Sequence, residues 1–325
     1  MQNQRIAVVR FSALGDVLLL WPVIEAVANA YPSVRLTFFT RPRFLVHLPE
    51  HPQIEKVGLD VDKTYGNPFS LQLFWWGWLR SSYPVAWVDA HSHMRTRMGT
   101  WLAARFGAQI GRLQKHRGAR KAYLRRERSS LPPVQSSYAE AFAEAGFPIS
   151  WPVSRQVTPR NMSTNLLLAP FAAHASKRWN LEDAYTLATW WKGCGGTVTL
   201  MGQEEEVATW QGPEVLYSSP AQEAQIWPSA AVAVVMDSAN QHLAALYQTP
   251  CVTLWMGTSP EAGFVPYNSS PAQHLVPYGL TCAPCSIYGT STCSRGDFAC
   301  RDHSIEAVKK AIQQVAQTGL VLSKK

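Results

Sequence analysis

The sequence predicts an α/β protein built from two doubly wound parallel sheets in succession. Short β-branched and aliphatic runs alternate with helix-length apolar patterns from the first residues onward. A Pro/Ser-rich stretch over residues 129–164 breaks that alternation, as an interdomain linker does. The alternation then restarts. A chain of 325 residues is long for one core, so two domains are expected, 1–160 and 161–325.

The elements follow in order. RIAVVRF (5–11) reads as a buried strand, and DVLLLWPVIEAVANAY as a helix that Pro22 must either start or kink. Strands are expected over 34–40, 54–59 and 84–90, with helices over 68–80 and 93–106 between and after them. In the second half, residues 165–171, 197–202, 215–218, 231–236 and 251–255 read as strands separated by helices. GCGG (193–196) follows a helix and precedes a strand, which makes it a helix-ending turn. The last helix spans 304–319, with Ser304 as its cap and Gly319 as its stop, and is expected to pack back toward the first domain.

Composition narrows the class. With 46% hydrophobic and 16% charged residues the chain is globular and not disordered. No stretch approaches the roughly 18 uncharged apolar residues of a membrane span. The N-terminal segment is a poor signal peptide, because Arg10, Asp16 and Glu25 interrupt it. A cytoplasmic protein is expected. The net charge of +8 is local: residues 105–128 carry nine Lys/Arg against one Glu, and the rest of the chain nets zero. Such an excess suits a solvated loop, phosphorylated ligands or an anionic membrane surface. Only Phe106 and Tyr123 lie within it, so the aromatic interleaving of a nucleic-acid site is missing. Cys282, Cys285, Cys293 and Cys300 form a C-x2-C-x7-C-x6-C pattern. That spacing leaves reduced thiols, a zinc site and a disulfide open, ranked in that order. A local structural staple is expected there, not an active-site metal.

Ligands of doubly wound sheets bind outside the carboxyl ends of the strands. Asp16 stands just past the first strand, where it caps a helix or faces a ligand, and Gly15 beside it permits a tight turn. No G-x-G-x-x-G follows that strand, which disfavours a dinucleotide. In the second half, Lys177 follows the strand at 165–171. Asp237, Ser238 and Ala239 open a helix carrying His242 after the strand at 231–236. A helix N-terminus with a nearby cation suits a phosphate, whereas His242 alone reads equally as a core histidine. Glu204, after 197–202, suits a sugar hydroxyl or a helix start.

RFSALGDVLLLWPVIEAV, HASKRW, MDSANQHLAALYQTPCVTLWMGTSP and the cysteine pattern, in this order, resemble glycosyltransferase family 9, the ADP-heptose:lipopolysaccharide heptosyltransferases and their relatives. The resemblance covers nearly the whole chain. It implies the GT-B architecture, two Rossmann-like domains facing a central cleft, and inverting transfer with no cofactor and no required metal. It implies that Asp16 is the general base and that Lys177 contacts the donor diphosphate. It further implies that Asp237, Ser238, Ala239 and His242 form the donor-phosphate loop and that Glu204 meets the donor ribose. The implied partners are an ADP-sugar and a lipopolysaccharide core or similar anionic glycolipid. Arg112, Lys115, Arg117, Arg120 and Lys121 would receive that acceptor and hold the enzyme at the inner membrane surface. Two departures stand out: Ala239 replaces a glycine of the family's loop, and LWMGTSP is expected to place bulky Trp255 and Met256 near the donor. The competing readings are another nucleotide-sugar enzyme, such as an epimerase, and a non-catalytic module that binds anionic glycolipid or nucleic acid.

Overall fold

The computed structural model describes residues 4–153, 163–218, 220–267 and 270–322. Residues 154–162 of the expected linker, with the boundary at 160/161, lie outside the described residues. The chain divides into two compact units. The first comprises Met1–Arg117 and Pro132–Val153, the second Gly118–Leu131 and Ser154–Lys325.

The first unit runs β1 (Gln4–Val9), α1 (Leu14–Ala30), β2 (Val34–Thr40), β3 (Ile54–Gly58), α2 (Pro68–Ser82), β4 (Ala86–Asp89), α3 (Met94–Arg105) and β5 (Gln109–Arg112). After α4 (Arg117–Leu124), which crosses into the second unit, α5 (Val134–Glu144) returns to the first. The five strands are parallel in the order β3-β2-β1-β4-β5. Central strand β1 is apolar because both its faces are covered; Ile6, Ala7, Val8 and Val9 are fully buried. Helix α1 passes through Pro22, so the proline neither starts nor ends it. On one sheet face Phe39, Trp75 and Trp87 pack edge to face, with ring centroids about 5 Å apart. Gly111 lets α5 lie directly on β5, since a Cβ there would stand 1.7 Å from the Ala141 carbonyl oxygen.

The second unit continues with β6 (Asn165–Ala169), α6 (Leu181–Gly193), β7 (Thr197–Leu200), α7 (Glu204–Val207), β8 (Leu216–Tyr217) and α8 (Pro220–Ile226). It closes with β9 (Val232–Met236), α9 (Ala239–Leu246), β10 (Cys251–Leu254), β11 (Ala272–Leu275) and α10 (Ile305–Val315). Its six strands are also parallel, in the order β11-β10-β9-β6-β7-β8. Both units are doubly wound α/β, the fold class expected.

Several expectations are corrected. The last helix ends at Val315, before Gly319, and its apolar stripe of Val308, Ala311, Ile312 and Val315 packs into the second unit's core. Trp255 and Met256 are core residues: both are fully buried, and the Trp255 indole N–H donates to His274 Nδ1 at 3.1 Å. They turn inward because they continue a central strand buried on both faces. The basic stretch is not one loop. It contains β5 and α4, and its residues 118–131 pack with the second unit. There Tyr123 and Leu131 form a small cluster with Ala262 and Ile287, and the Leu131 N–H donates to the Glu261 carbonyl at 2.8 Å. Among the described residues no helix is long and apolar enough to cross a membrane.

Candidate active site

Each sheet has one topological switch point, where successive connections leave a strand in opposite directions and open a crevice at the carboxyl ends. In the first sheet it lies between β1 and β4, in the second between β6 and β9. The sequence places charged residues just beyond these four strands.

At the first switch point, Asp16 stands in the first turn of α1. Its Oδ2 accepts the Ala13 N–H at 3.0 Å and pairs with Arg10 Nη2 at 2.5 Å. Asp16 is thus both a cap and half of an ion pair. Both contacts use Oδ2, and no contact engages Oδ1 among the described residues. Arg10 is buried, donates to the Ala90 carbonyl at 2.6 Å and lies 6.0 Å from the Tyr138 ring centroid. His91 faces this group from beyond β4. Burial pushes its pKa down to about 3, helped by the positive charges of Arg10 and Lys115 and opposed by Asp16. The imidazole is therefore neutral across the physiological range and serves as a hydrogen-bonding group, not a cation.

Asp89, at the end of β4, builds the turn that presents His91. Its Oδ1 accepts the His91 and Ser92 N–H groups at 3.1 and 2.7 Å, and its Oδ2 accepts the Thr96 and Thr100 hydroxyls at 2.9 and 3.2 Å. This satisfies a carboxylate that is almost wholly buried. Sequence reasoning missed Arg10, Asp89 and His91. A strand-ending Asp with threonines seven and eleven residues later, on one helix face, was the available signal.

At the second switch point, Lys177 follows β6 and Asp237 follows β9. Their side chains pair at 2.8 Å with little solvent access. Ser238 caps α9, its Oγ accepting the Asn240 N–H at 3.4 Å, and Ala239 is the first helical residue. The loop from the cysteine segment closes on this pair: Lys177 Nζ approaches the Tyr288 carbonyl at 3.4 Å, and Ser176 Oγ accepts the Thr290 N–H at 2.7 Å. A cation beside a helix N-terminus can bind a phosphate, with Asp237 holding the cation in place until the anion arrives. His242 lies buried one turn into α9.

No family model and no curated protein matches the sequence. Solved structures do match the fold. A glycosyl transferase family 9 protein from Veillonella parvula superposes with a TM-score of 0.75 at 16% identity, over 96% of this chain and 97% of that one. The fold is that of a family 9 glycosyltransferase. The E. coli heptosyltransferase WaaC, solved with ADP, matches at a TM-score of 0.67 and 17% identity over 95% and 99% of the two chains. E. coli ADP-heptose lps heptosyltransferase II matches at 0.66 and 16%, over 96% and 99%. The two parallel-sheet units agree with the GT-B type expected.

On this family 9 fold the remaining expected residues are dispersed. Glu204 opens α7 beyond β7, is exposed, and makes no contact with the Lys177–Asp237 pair among the described residues. Of the five basic residues, Arg112 ends β5 and Lys115 contributes charge at His91, both in the first unit. Arg117 begins α4, while Arg120 and Lys121 belong to the second unit, where Arg120 contacts the Tyr288 hydroxyl and stacks on its ring. Cys282, Cys285, Cys293 and Cys300 all line one cavity of about 20 Å³, room for roughly a single water. Among the described residues no three metal-ligating side chains are grouped to hold an ion.

Proposed function

We propose that this chain is an inverting glycosyltransferase that moves a heptose or related sugar from an ADP-sugar to a lipopolysaccharide core or similar anionic glycan. The reading includes a cytoplasmic location, with Arg112, Lys115, Arg117, Arg120 and Lys121 receiving the anionic acceptor. One observation carries it most: the Lys177–Asp237 pair beside the start of α9, at the second sheet's switch point, in a chain that matches a glycosyltransferase fold over 96% of its length.

In this mechanism the donor diphosphate lies against Lys177 and the free N–H groups opening α9. Asp16 Oδ1 accepts the proton of the acceptor hydroxyl. That oxygen attacks the anomeric carbon from the face opposite the diphosphate, the new C–O bond forms as the sugar–phosphate bond breaks, and ADP leaves with the bonding pair. Lys177 and the helix N-terminus neutralise the charge that develops on the leaving phosphate. Asp16 acts as general base, with Arg10 and the Ala13 N–H fixing its other oxygen. Neutral His91 adds a hydrogen bond for the acceptor without competing for the proton.

Mass-spectrometric product analysis tests the reading, with a panel of nucleotide sugars and truncated lipopolysaccharide acceptors. Transfer from an ADP-sugar, with the anomeric configuration inverted, is expected. Release of an epimerised nucleotide without acceptor overturns it in favour of an epimerase, and binding without turnover overturns it in favour of a glycan-binding module.

A further inference from the structure

Helices α2 and α3 cover the same face of the first sheet, their inner sides sharing one core. Gly99 brings them together: a Cβ there would stand 2.9 Å from the Trp75 ring. Their outer sides do not follow the usual polar pattern. On α2, Phe69, Leu73 and Trp76 are 84%, 71% and 46% exposed. On α3, Met94, Met98 and Trp101 are 77%, 53% and 60% exposed. Both sets have the spacing i, i+4, i+7, so each is a single stripe along its helix. Each stripe ends four residues later in an exposed arginine, Arg80 on α2 and Arg105 on α3. Neither helix contains an acidic residue, and α3 also carries Arg95 and Arg97. The Arg80 guanidinium lies 4.6 Å above the Trp76 ring, which keeps its stem along the apolar surface and its charge at the rim. Asp62 beyond α2 pairs with Arg41 and Arg95; Arg97 and Arg105 have no acidic partner among the described residues.

An exposed apolar patch of this extent marks an interaction surface. We infer that the α2–α3 face docks on an anionic lipid bilayer, its two apolar stripes entering the headgroup boundary and its arginines meeting the lipid phosphates. The charge selects this occupant. A second copy of the same face would bring Arg80, Arg97 and Arg105 against their own like charges. An anionic membrane pairs them, and tryptophan, phenylalanine and arginine are the side chains that suit the bilayer interface. Apart from Arg105, this surface lies outside the 105–128 basic stretch, and it holds no residue of the proposed reaction.

The test uses the full chain, without donor or acceptor, so its failure is distinct from failure of the glycosyltransfer reading. Sedimentation is measured with phosphatidylcholine vesicles and with vesicles in which about a third of the lipid is phosphatidylglycerol. Binding to the anionic vesicles is expected to be about tenfold tighter or more, and to weaken with salt. The variant L73S/W76S/M98S/W101S should lose about tenfold in vesicle affinity with an unchanged thermal melt, because all four side chains are exposed. The variant R80S/R97S/R105S should lose the preference for anionic lipid. The inference is overturned if the wild-type protein stays in the supernatant. It is also overturned if binding survives both variants but is abolished by R117S/R120S/K121S. A wild-type dimer in sedimentation equilibrium that the first variant dissolves assigns the face to a second copy and overturns it as well.

Discussion

The two switch points occupy equivalent places in two similar sheets, yet they hold different charge arrangements. Beyond β1 and β4 a carboxylate is pinned through one oxygen, and the nearby imidazole is kept neutral. Beyond β6 and β9 an ammonium is held beside a helix N-terminus. The first arrangement leaves one carboxylate oxygen open; the second sets an ion-paired ammonium at a helix N-terminus. Topology supplies the crevice in both, and the residues immediately after each strand decide what it does. In each, one charge is anchored by an opposite charge with limited solvent access, which fixes the side chain's position without a bound ligand.

The comparison breaks first at Asp16. Replacing it with Ala should lower turnover about 10²–10⁴-fold if it is the base, while ADP binding measured by calorimetry stays unchanged. Near-normal turnover with a clearly lowered melting temperature would instead leave Asp16 as the cap of α1 and partner of Arg10. The complementary change, Lys177→Ala, should weaken ADP binding about tenfold to a hundredfold, or roughly 1.4–2.8 kcal/mol. Unchanged affinity in that variant would remove the phosphate site from the second switch point.

The neutrality of His91 is read through stability. Its folded pKa of about 3 lies below the ordinary 6.5, so between these values the unfolded chain binds a proton that the folded chain does not. Stability should therefore fall as pH drops below about 6.5, by up to about 1.4 kcal/mol per pH unit from this group. Urea melts across that range should show the slope, and His91→Gln should flatten it; an unchanged profile in the variant would mean that His91 is not held neutral. Glu204→Gln carries the smallest expectation. An exposed hydrogen bond to a ribose is worth about threefold in donor affinity, and a loss of turnover at unchanged affinity would give Glu204 a different role.

Much of the architecture was legible from residue order alone. Strand β2 matches the expected span, and β3, β4, β6, β7, β9 and β10 match to within one or two residues at each end, because most of these parallel strands are buried and therefore largely apolar. Asp16, Lys177 and Asp237 could be placed beside the switch points because groups that follow strand ends can be counted along the chain. Strands β5 and β11 escaped: QIGR and AQHL lie at sheet edges, where less apolar area is buried and the periodicity fades.

What the sequence determined by itself is the set of short-range relations: which runs are strands, which residues follow them, which turns open helices. Tertiary structure alone decided the pairings. Arg10 is one more residue at a strand end until the sheet order brings β4 beside β1 and sets Ala90 and His91 against it. Trp255 and Met256 follow a strand as Lys177 and Asp237 do, yet they pack into the apolar core whereas the charged side chains pair with each other. The physical reason is that a contact between residues 60 or 80 positions apart depends on strand order and on what remains unburied after packing. Local propensity carries neither quantity, and they exist only once both sheets have closed.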